Sequence, residues 1–316
     1  VISRKQSYHG NTLGALAVGG NVSRRSLFED LLIETSLISP CYKYRFQDAN
    51  ESEIQYGLRV ANELEDEIIR LGPDNVMAFI AETVVGATAG ALTPVKGYFE
   101  RIREICTKYN VLLILDEVMC GMGRTGPLFA CEEEKIIPDI ITIAKGLGAG
   151  YQPIAAMMCQ NFIYDAINQG SGFFQHGHTY LGHPIACAAS LAVVNKLIKE
   201  SFYEKVIRKG KYLQKKLEIT LGQNEYIGDI RGRGLFRGVE LVQNRETKEP
   251  FPKNFNIAGK IKKRALDLGL ICYPMQGTVD GTIGDHILIA PPFIINENEM
   301  NEISQKLEKS MQNIYN

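Results

Sequence analysis

Short apolar runs separated by helical patterns fill the first two thirds of the chain. Four runs are apolar at nearly every position, as expected for strands buried on both faces. They are VMAFIAE (76–82), VLLILDEV (111–118), DIITIA (139–144) and PIAAMM (153–158). Helical patterns begin at Pro94 and at Pro184, the second continuing to Lys199. This alternation predicts an α/β domain of three layers, with helices on both faces of a mostly parallel sheet.

The pattern changes near residue 200 and predicts a smaller α+β domain. We assign residues 1–200 to the large domain and residues 201–316 to the small one. The small domain should hold a half-solvated hairpin in YIGDIRGRGLFRGVELV, where polar and apolar residues alternate. Its other predicted elements are helices over 202–221 and 256–268, strands in GLICYP and HILIAPP, and a closing helix from Asn298.

Composition excludes several classes of function. The formal net charge is -1 and no long basic block occurs, so neither nucleic acid nor an acidic membrane surface is an expected partner. No apolar run is long enough for a membrane span. The seven cysteines form no C-x-x-C pair, which indicates a reducing, cytoplasmic location. The chain opens on VISRKQSYHG, as if entering on a strand, and we expect a further segment to precede it.

An acid and a lysine fall where an α/β sheet binds ligands. Asp116 and Glu117 end one predicted strand, and Lys145 follows the next, before a glycine-rich loop. The carboxyl ends of parallel strands share one edge, so these groups should lie close together. A partly desolvated lysine amine can form a Schiff base, and pyridoxal phosphate needs such a lysine and an acid at its ring nitrogen. The alternative is a helix-capping aspartate and a solvent-exposed lysine.

Three other motifs allow competing interpretations. LLILDEV is similar to the magnesium-binding strand of nucleotide hydrolases, but the phosphate loop G-x-x-x-x-G-K-[ST] does not occur in the chain. GMGRTG (121–126) matches a dinucleotide fingerprint, yet it follows its acid pair and precedes Pro127, so we interpret it as a turn. His176, His178 and His183 could suggest a metal, but no acid accompanies them, and we expect none.

Four motifs in this order resemble one family. They are YHGNTLGAL, LILDEVMCGMGRTG, IAKGLGAGYQP and HGHTYLGHP. Together they resemble the class III aminotransferases, pyridoxal-phosphate enzymes of fold type I. The resemblance extends from Val1 through the helix after Pro184, and more loosely through IRGRGLFRGVEL and APPF to the end.

The resemblance implies roles for residues around the cofactor ring. Lys145 resembles the lysine that forms the Schiff base, and Asp116 resembles the partner of the pyridine nitrogen. Val118 matches the residue that packs on one ring face, and Tyr8 matches the aromatic residue on the other. Without the family, Tyr8 would be a core tyrosine at a strand end.

Further roles follow from the same resemblance. His9 and Gly10 should shape the turn that places the aromatic ring of Tyr8. Thr179 matches a threonine that reaches the cofactor phosphate of the neighbouring subunit, which implies a homodimer with its active site at the interface. Glu82 matches an acid on the substrate side; its alternative is a strand-end carboxylate in solvent.

The chain departs from the family pattern in three places. The upstream Gly-Ser or Gly-Ala segment that holds the phosphate has no counterpart before Tyr8, so the chain as given could bind the cofactor poorly. Met119 replaces a glutamine that contacts the ring hydroxyl. Leu288 replaces an arginine that clamps the substrate carboxylate, which disfavours an α-amino acid donor of the ornithine type. Arg124, Arg231 or an arginine upstream could supply another clamp.

The predicted function is therefore transfer of an amino group between an amine or amino acid and a keto acid, through pyridoxal phosphate bound to Lys145. A decarboxylating transaminase or an aminomutase would use the same lysine and Asp116, and an inactive fragment is a third alternative. A nucleotide hydrolase is a remote one.

Overall fold

A mixed six-stranded sheet organises the large domain in a computed structural model that describes residues 1–313. Its strands are β1 (Ile2–Arg4), β2 (Ser36–Ile38), β3 (Ala78–Glu82), β4 (Leu112–Asp116), β5 (Ile140–Ile143) and β6 (Ala156–Cys159). They lie in the order β2-β1-β3-β4-β5-β6. The first five are parallel, and β6 pairs with β5 in the antiparallel sense.

Seven helices accompany this sheet in the described part of the chain. They are α1 (Leu13–Val18), α2 (Val22–Arg25), α3 (Lys43–Phe46), α4 (Glu53–Leu71), α5 (Tyr98–Lys108), α6 (Asn161–Gln169) and α7 (Pro184–Lys199). The long helix α4 starts at a capping box in which Ser52 and Gln55 satisfy each other's backbone N–H groups. Its apolar stripe packs with α5 against Phe79, Leu113 and Leu115, all fully buried, and this cluster is the main core of the domain.

The predicted fold class is confirmed, with two local corrections. The strand expected in PIAAMM exists, but it is antiparallel to its neighbour and all four of its residues are exposed, so it is not buried on both faces. The helix expected from Pro94 begins only at Tyr98, because Gly97 adopts a φ of +86° that interrupts the helical path. Helix α7, in contrast, has the predicted bounds, from Pro184 to Lys199.

A four-stranded antiparallel sheet forms the smaller second domain. Its strands are β7 (Ile227–Arg233), β8 (Phe236–Leu241), β9 (Tyr273–Gln276) and β10 (Asp285–Ile289), in the order β7-β8-β10-β9. Helices α8 (Phe202–Leu221), α9 (Ile257–Asp267) and α10 (Glu297–Met311) accompany it. The predicted β7–β8 hairpin occurs, but every residue of β8 is buried, so its second strand is not half-solvated. A Cβ atom at Gly238 would lie 2.0 Å from the Gly90 carbonyl oxygen, which shows how closely the large domain covers this strand.

Two arginines, the buried Arg231 and the half-buried Arg124, hold the two domains together. Arg231 donates to the carbonyl oxygens of Ala89 and Gly90, at 2.6 and 2.9 Å, and forms an ion pair with Glu240. Arg124 donates to the carbonyl oxygens of Leu235 and Pro291 at 3.1 and 2.6 Å. Both guanidinium groups therefore serve the domain interface, which argues against either one as the substrate carboxylate clamp.

No helix within residues 1–313 combines the length and apolar character that crossing a lipid bilayer requires.

Candidate active site

Adjacent parallel strands bring Asp116 and Lys145 to one cavity. Asp116 is the last residue of β4 and pairs with Thr142 of β5, and Lys145 follows two residues after β5 ends. Both side chains line a cavity of about 220 Å³, which we call the inner cavity. Its lining is Tyr8, His9, Gly10, Glu82, Val84, Ala87, Asp116, Val118, Met119 and Lys145. The cavity thus lies at the carboxyl ends of the strands, where an α/β sheet binds ligands.

Asp116 is held by two hydrogen bonds that fix its carboxylate. Its Oδ2 lies 2.8 Å from Nδ1 of His9, and its Oδ1 accepts a 3.0 Å hydrogen bond from the backbone N–H of Val118. The His9 side chain is 2% exposed, and its Nε2 has no hydrogen-bond partner within residues 1–313. From the sequence we expected His9 only to shape the local turn, whereas in the structure it also contacts a carboxylate 107 residues away.

Glu82 lies beside Asp116 on the neighbouring strand. The two are register partners in the β3–β4 pair. Glu82 Oε1 accepts a 3.2 Å hydrogen bond from the N–H of Gly86, whereas Oε2 is buried without a partner among the described residues. Burial, reinforced by the charge of Asp116, raises the pKa of Glu82 to about 7, although His9 and Arg4 oppose the rise. Glu82 can therefore hold a proton near neutral pH.

Lys145 sits in a strained turn between β5 and the glycine-rich loop. Its φ is +41°, a left-handed conformation that is costly for a side chain larger than glycine. The side chain is exposed through the open cavity, yet the surrounding protein desolvates the amine and lowers its pKa. The charges of Asp116 and Glu82 partly offset this effect. A lysine with a lowered pKa holds more of its amine in the neutral, nucleophilic form.

Glu117 has a structural position, away from the cavity. Its Oε1 accepts hydrogen bonds from Thr83 Oγ1 at 2.7 Å and from the N–H of Cys131 at 2.9 Å. Its Oε2 accepts from the N–H of Ala130 at 2.7 Å. Since only Asp116 of the acid pair lines the cavity, the two carboxylates do not form a shared magnesium site, and the nucleotide-hydrolase interpretation loses its geometric basis.

The GMGRTG motif forms a turn, as its sequence context suggested. Gly123 and Gly126 adopt φ values of +83° and +128°, which favour glycine. No helix follows the glycines directly, unlike in a dinucleotide-binding fingerprint.

The histidine-rich loop lies outside the inner cavity. His176, His178 and Thr179 are exposed, and His183 is half-buried at the start of α7. Within residues 1–313 no cluster of three or more histidine, cysteine or acidic side chains is arranged to hold a metal ion. Thr179 does not line the inner cavity of its own chain.

A second cavity opens beyond Lys145 and reaches the small domain. It has a volume of about 400 Å³, and we call it the outer cavity. It shares Tyr8, Ala87, Met119 and Lys145 with the inner cavity. Its remaining lining is Asn21, Arg24, Thr88, Ile271, Cys272, Tyr273, Met275, Leu288 and Ala290. Arg24 and the 271–275 segment were not predicted to lie here, because no sequence motif marks them.

The inner cavity suits the ring and aldehyde of pyridoxal phosphate. It offers a carboxylate for a ring nitrogen in Asp116, an amine for an aldehyde in Lys145, and two walls in Tyr8 and Val118. Buried His9 Nε2 and Glu82 Oε2 lack partners among the described residues, as expected of groups that face a polar ligand. The lining therefore has groups that suit the ring. For the phosphate it lacks the usual side-chain ligands, since no serine, threonine or arginine of residues 1–313 lines this cavity.

Comparisons with known proteins agree with this geometry. An uncharacterized aminotransferase of Schizosaccharomyces pombe is 46% identical over 98% of this chain and 68% of its own length. Gamma aminobutyrate transaminase 3 of Solanum lycopersicum, a chloroplastic protein, is 35% identical over 100% of this chain and 59% of its own. A crystal structure of a thermostable omega transaminase mutant from Pseudomonas jessenii superimposes with a TM-score of 0.91 at 34% identity, covering 99% of this chain and 68% of that one.

The chain thus spans about 60 to 70% of the length of these relatives. The family profile of class-III aminotransferases matches residues 1–311. On this evidence the chain belongs to the class III aminotransferases, a family of enzymes that depend on pyridoxal phosphate.

Proposed function

We propose that this protein transfers an amino group between a primary amine or amino acid and a keto acid, with pyridoxal phosphate bound at Lys145. The observation that carries the proposal is the joint position of the desolvated Lys145 amine and the Asp116 carboxylate in the inner cavity of a chain from this family. In the net reaction, the donor exchanges its amino group and one hydrogen for the carbonyl oxygen of the acceptor. No external oxidant or reductant is needed.

When bound, pyridoxal phosphate supplies an aldehyde that condenses with amines and a protonated ring that withdraws electrons from the reacting carbon. Lys145 would hold this aldehyde through its amine, and its Nζ, once released, would take a proton from the amino-bearing carbon of the donor. Asp116 would keep a proton on the ring nitrogen. His9 donates from Nδ1 to Asp116 and thereby orients that carboxylate.

A homodimer is part of the proposal, with Thr179 reaching the partner's cofactor phosphate. The many exposed large apolar side chains between residues 151 and 198 support it, since apolar groups exposed in such number often mark interfaces. They are Tyr151, Met157, Met158, Phe162, Tyr164, Phe173, Phe174, Tyr180, Leu181, Ile185, Leu191 and Ile198. Thr179 is exposed within this segment and outside the inner cavity of its own chain, which fits a role in the neighbouring site. The seven free cysteines support a reducing compartment such as the cytoplasm.

Trapping the lysine tests the proposed function. We expect the purified protein to form a yellow complex with added pyridoxal phosphate, and borohydride followed by peptide mass mapping to locate the cofactor on Lys145. Lys145→Ala should lose both the trapped mass and turnover, whereas Lys262→Ala, which removes an exposed lysine on α9, should keep both. Asp116→Asn should retain the trapped mass but slow turnover strongly. Cofactor trapped on another lysine, or turnover by Lys145→Ala, would refute the assignment.

A further inference from the structure

A loop of the small domain reaches the large domain close to the inner cavity. It covers residues 277–284 and joins β9 to β10. The loop closes on itself through a 2.7 Å hydrogen bond from the N–H of Gly277 to the carbonyl oxygen of Gly284. Its Thr278 is fully buried, yet this residue lines neither the inner nor the outer cavity. Thr278 can therefore affect the site only through the residues that it contacts.

Gln6 is the large-domain partner of this loop. Its side-chain Nε2 donates a 3.0 Å hydrogen bond to the carbonyl oxygen of Thr278, and its own carbonyl oxygen accepts a hydrogen bond from Oγ1 of Thr88. Gln6 is 4% exposed and has a φ of +55°, a left-handed conformation that is uncommon for residues other than glycine. A conformation of this kind persists where the surrounding structure holds it. The hydrogen bonds to Thr278 and Thr88 supply that support at Gln6.

The Thr278 end of this contact is fixed within the small domain. Oγ1 of Thr278 lies 2.6 Å from Nδ1 of His286, and both residues are fully buried. Burial lowers the pKa of His286 to about 3, so its ring is neutral at neutral pH. A Cβ atom at Gly90 would lie 2.6 Å from Cδ2 of this ring, which shows that the large domain packs directly against it. The hydrogen bond from Gln6 therefore ends on a firmly held partner.

The conformation of Gln6 matters because of the residues that follow it in the chain. Tyr8 and His9 come directly after Ser7, and both line the inner cavity. The His9 ring also lies 2.8 Å from the Asp116 carboxylate. A rotation of the backbone at Gln6 would carry Tyr8 and His9 away from these positions. The contact with the small domain thus controls one wall of the cavity from outside it.

We propose that Gln6 is a positioning residue, which uses its hydrogen bond to Thr278 to hold Tyr8 and His9 where they bind the cofactor ring. The inference rests on the proposed function for that cofactor. Without this hydrogen bond the segment populates other conformations, and the cofactor affinity falls with the fraction of molecules that keep Tyr8 and His9 in place. Gln6 lines neither cavity and takes no part in proton transfer.

Variants of similar shape test this role. Gln6→Met keeps the length of the side chain and removes its donor, and we expect it to weaken pyridoxal phosphate binding on the order of tenfold in an absorbance titration. Thr278→Val removes the hydroxyl that meets His286 and should also weaken binding, whereas Thr278→Ser should not. Thr282→Val is the matched control, because Thr282 is exposed in the same loop and its hydroxyl donates to Asp280.

Combining the variants tests whether the two residues act through one contact. The double variant Gln6→Met, Thr278→Val should bind the cofactor no more weakly than Gln6→Met alone. Losses that add up in the double variant would show two independent effects and would overturn the inference. An equal loss of affinity in Thr282→Val would also overturn it, because that result would mark a general effect of changing the loop.

A measurement on the cofactor-free protein separates this inference from the proposed function. The chain has five histidines, so ¹⁵N-histidine labelling gives a simple spectrum, in which His9→Asn assigns one ring. The Nδ1–H proton that faces Asp116 should exchange with water about tenfold faster in Gln6→Met than in the wild type. If neither protein binds pyridoxal phosphate but this difference remains, the transaminase proposal fails and the positioning role stands. Wild-type exchange at His9 in both Gln6→Met and Thr278→Val would refute the positioning role, whatever the cofactor affinity.

Discussion

Replacing Glu82 with glutamine should change how the stability of the protein depends on pH. In the folded protein the pKa of Glu82 rises from 4.5 to about 7, chiefly because the side chain is buried. Between these pH values the folded chain holds a proton that the unfolded chain has released. The unfolding free energy therefore falls as pH rises through this window. At about 1.4 kcal/mol per pKa unit, the full loss above pH 7 is about 3 kcal/mol.

Glu82→Gln carries no titratable group at this position, so its unfolding free energy should not fall in this way as pH rises. The chain contains no tryptophan, so urea unfolding is best followed by circular dichroism, at pH 5 and at pH 8. Other buried groups titrate in the same window, including Asp285, whose pKa burial raises to about 6. For this reason the informative quantity is the difference between variant and wild type at each pH.

Since pH 5 already lies above the unfolded pKa, we expect Glu82→Gln to gain about 2.5 kcal/mol relative to wild type between pH 5 and pH 8. Glu246→Gln, which alters an exposed loop acid, should follow the wild type at both pH values. If the difference between Glu82→Gln and wild type were the same at pH 5 and pH 8, Glu82 would titrate as an ordinary carboxyl, and the argument from its burial would be wrong.

Two further predictions concern assembly and the support of the site. Light scattering of the cofactor-loaded protein should give about twice the 35.2 kDa mass of the chain. Thr179→Ala should weaken cofactor binding without dissociating the dimer. A monomer that binds the cofactor tightly would contradict the shared site. Glu117→Gln should cost about 2 kcal/mol of stability in urea unfolding, because Ala130 and Cys131 donate to different carboxylate oxygens and the amide NH2 would face one of these two N–H donors. Unchanged stability would show that this hydrogen-bond network relaxes around the amide.

Local signals made several elements of the fold predictable. Proline at the first position of α7 and a charged amphipathic pattern in α8 defined both helices with the bounds that the structure has. The direction of β6 was not predictable in the same way, because an apolar run has no feature that separates a parallel from an antiparallel partner. That direction depends on how the chain returns to the sheet after Lys145 and its glycine-rich loop.

The site shows the same division between local and long-range information. The rule that parallel strands end at one edge was enough to place Asp116 near Lys145 from the sequence. The contact of His9 with Asp116 joins residues 107 positions apart, and a single sequence holds no signal for such a pairing. Arg24 was missed for a different reason. It and Arg25 are equivalent in the sequence, but in the structure Arg24 lines the outer cavity, whereas Arg25 donates to backbone carbonyl oxygens between α1 and α2.

The two cavities draw on different parts of the chain. Every residue of the inner cavity lies between Tyr8 and Lys145, whereas six residues of the outer cavity, from Ile271 to Ala290, come from the small domain. Mutations in that later segment can therefore reshape the space for the substrate while leaving the proton-transferring groups intact. The architecture gives evolution, and protein engineers, a way to diversify amine selectivity through one domain while the other preserves the reaction.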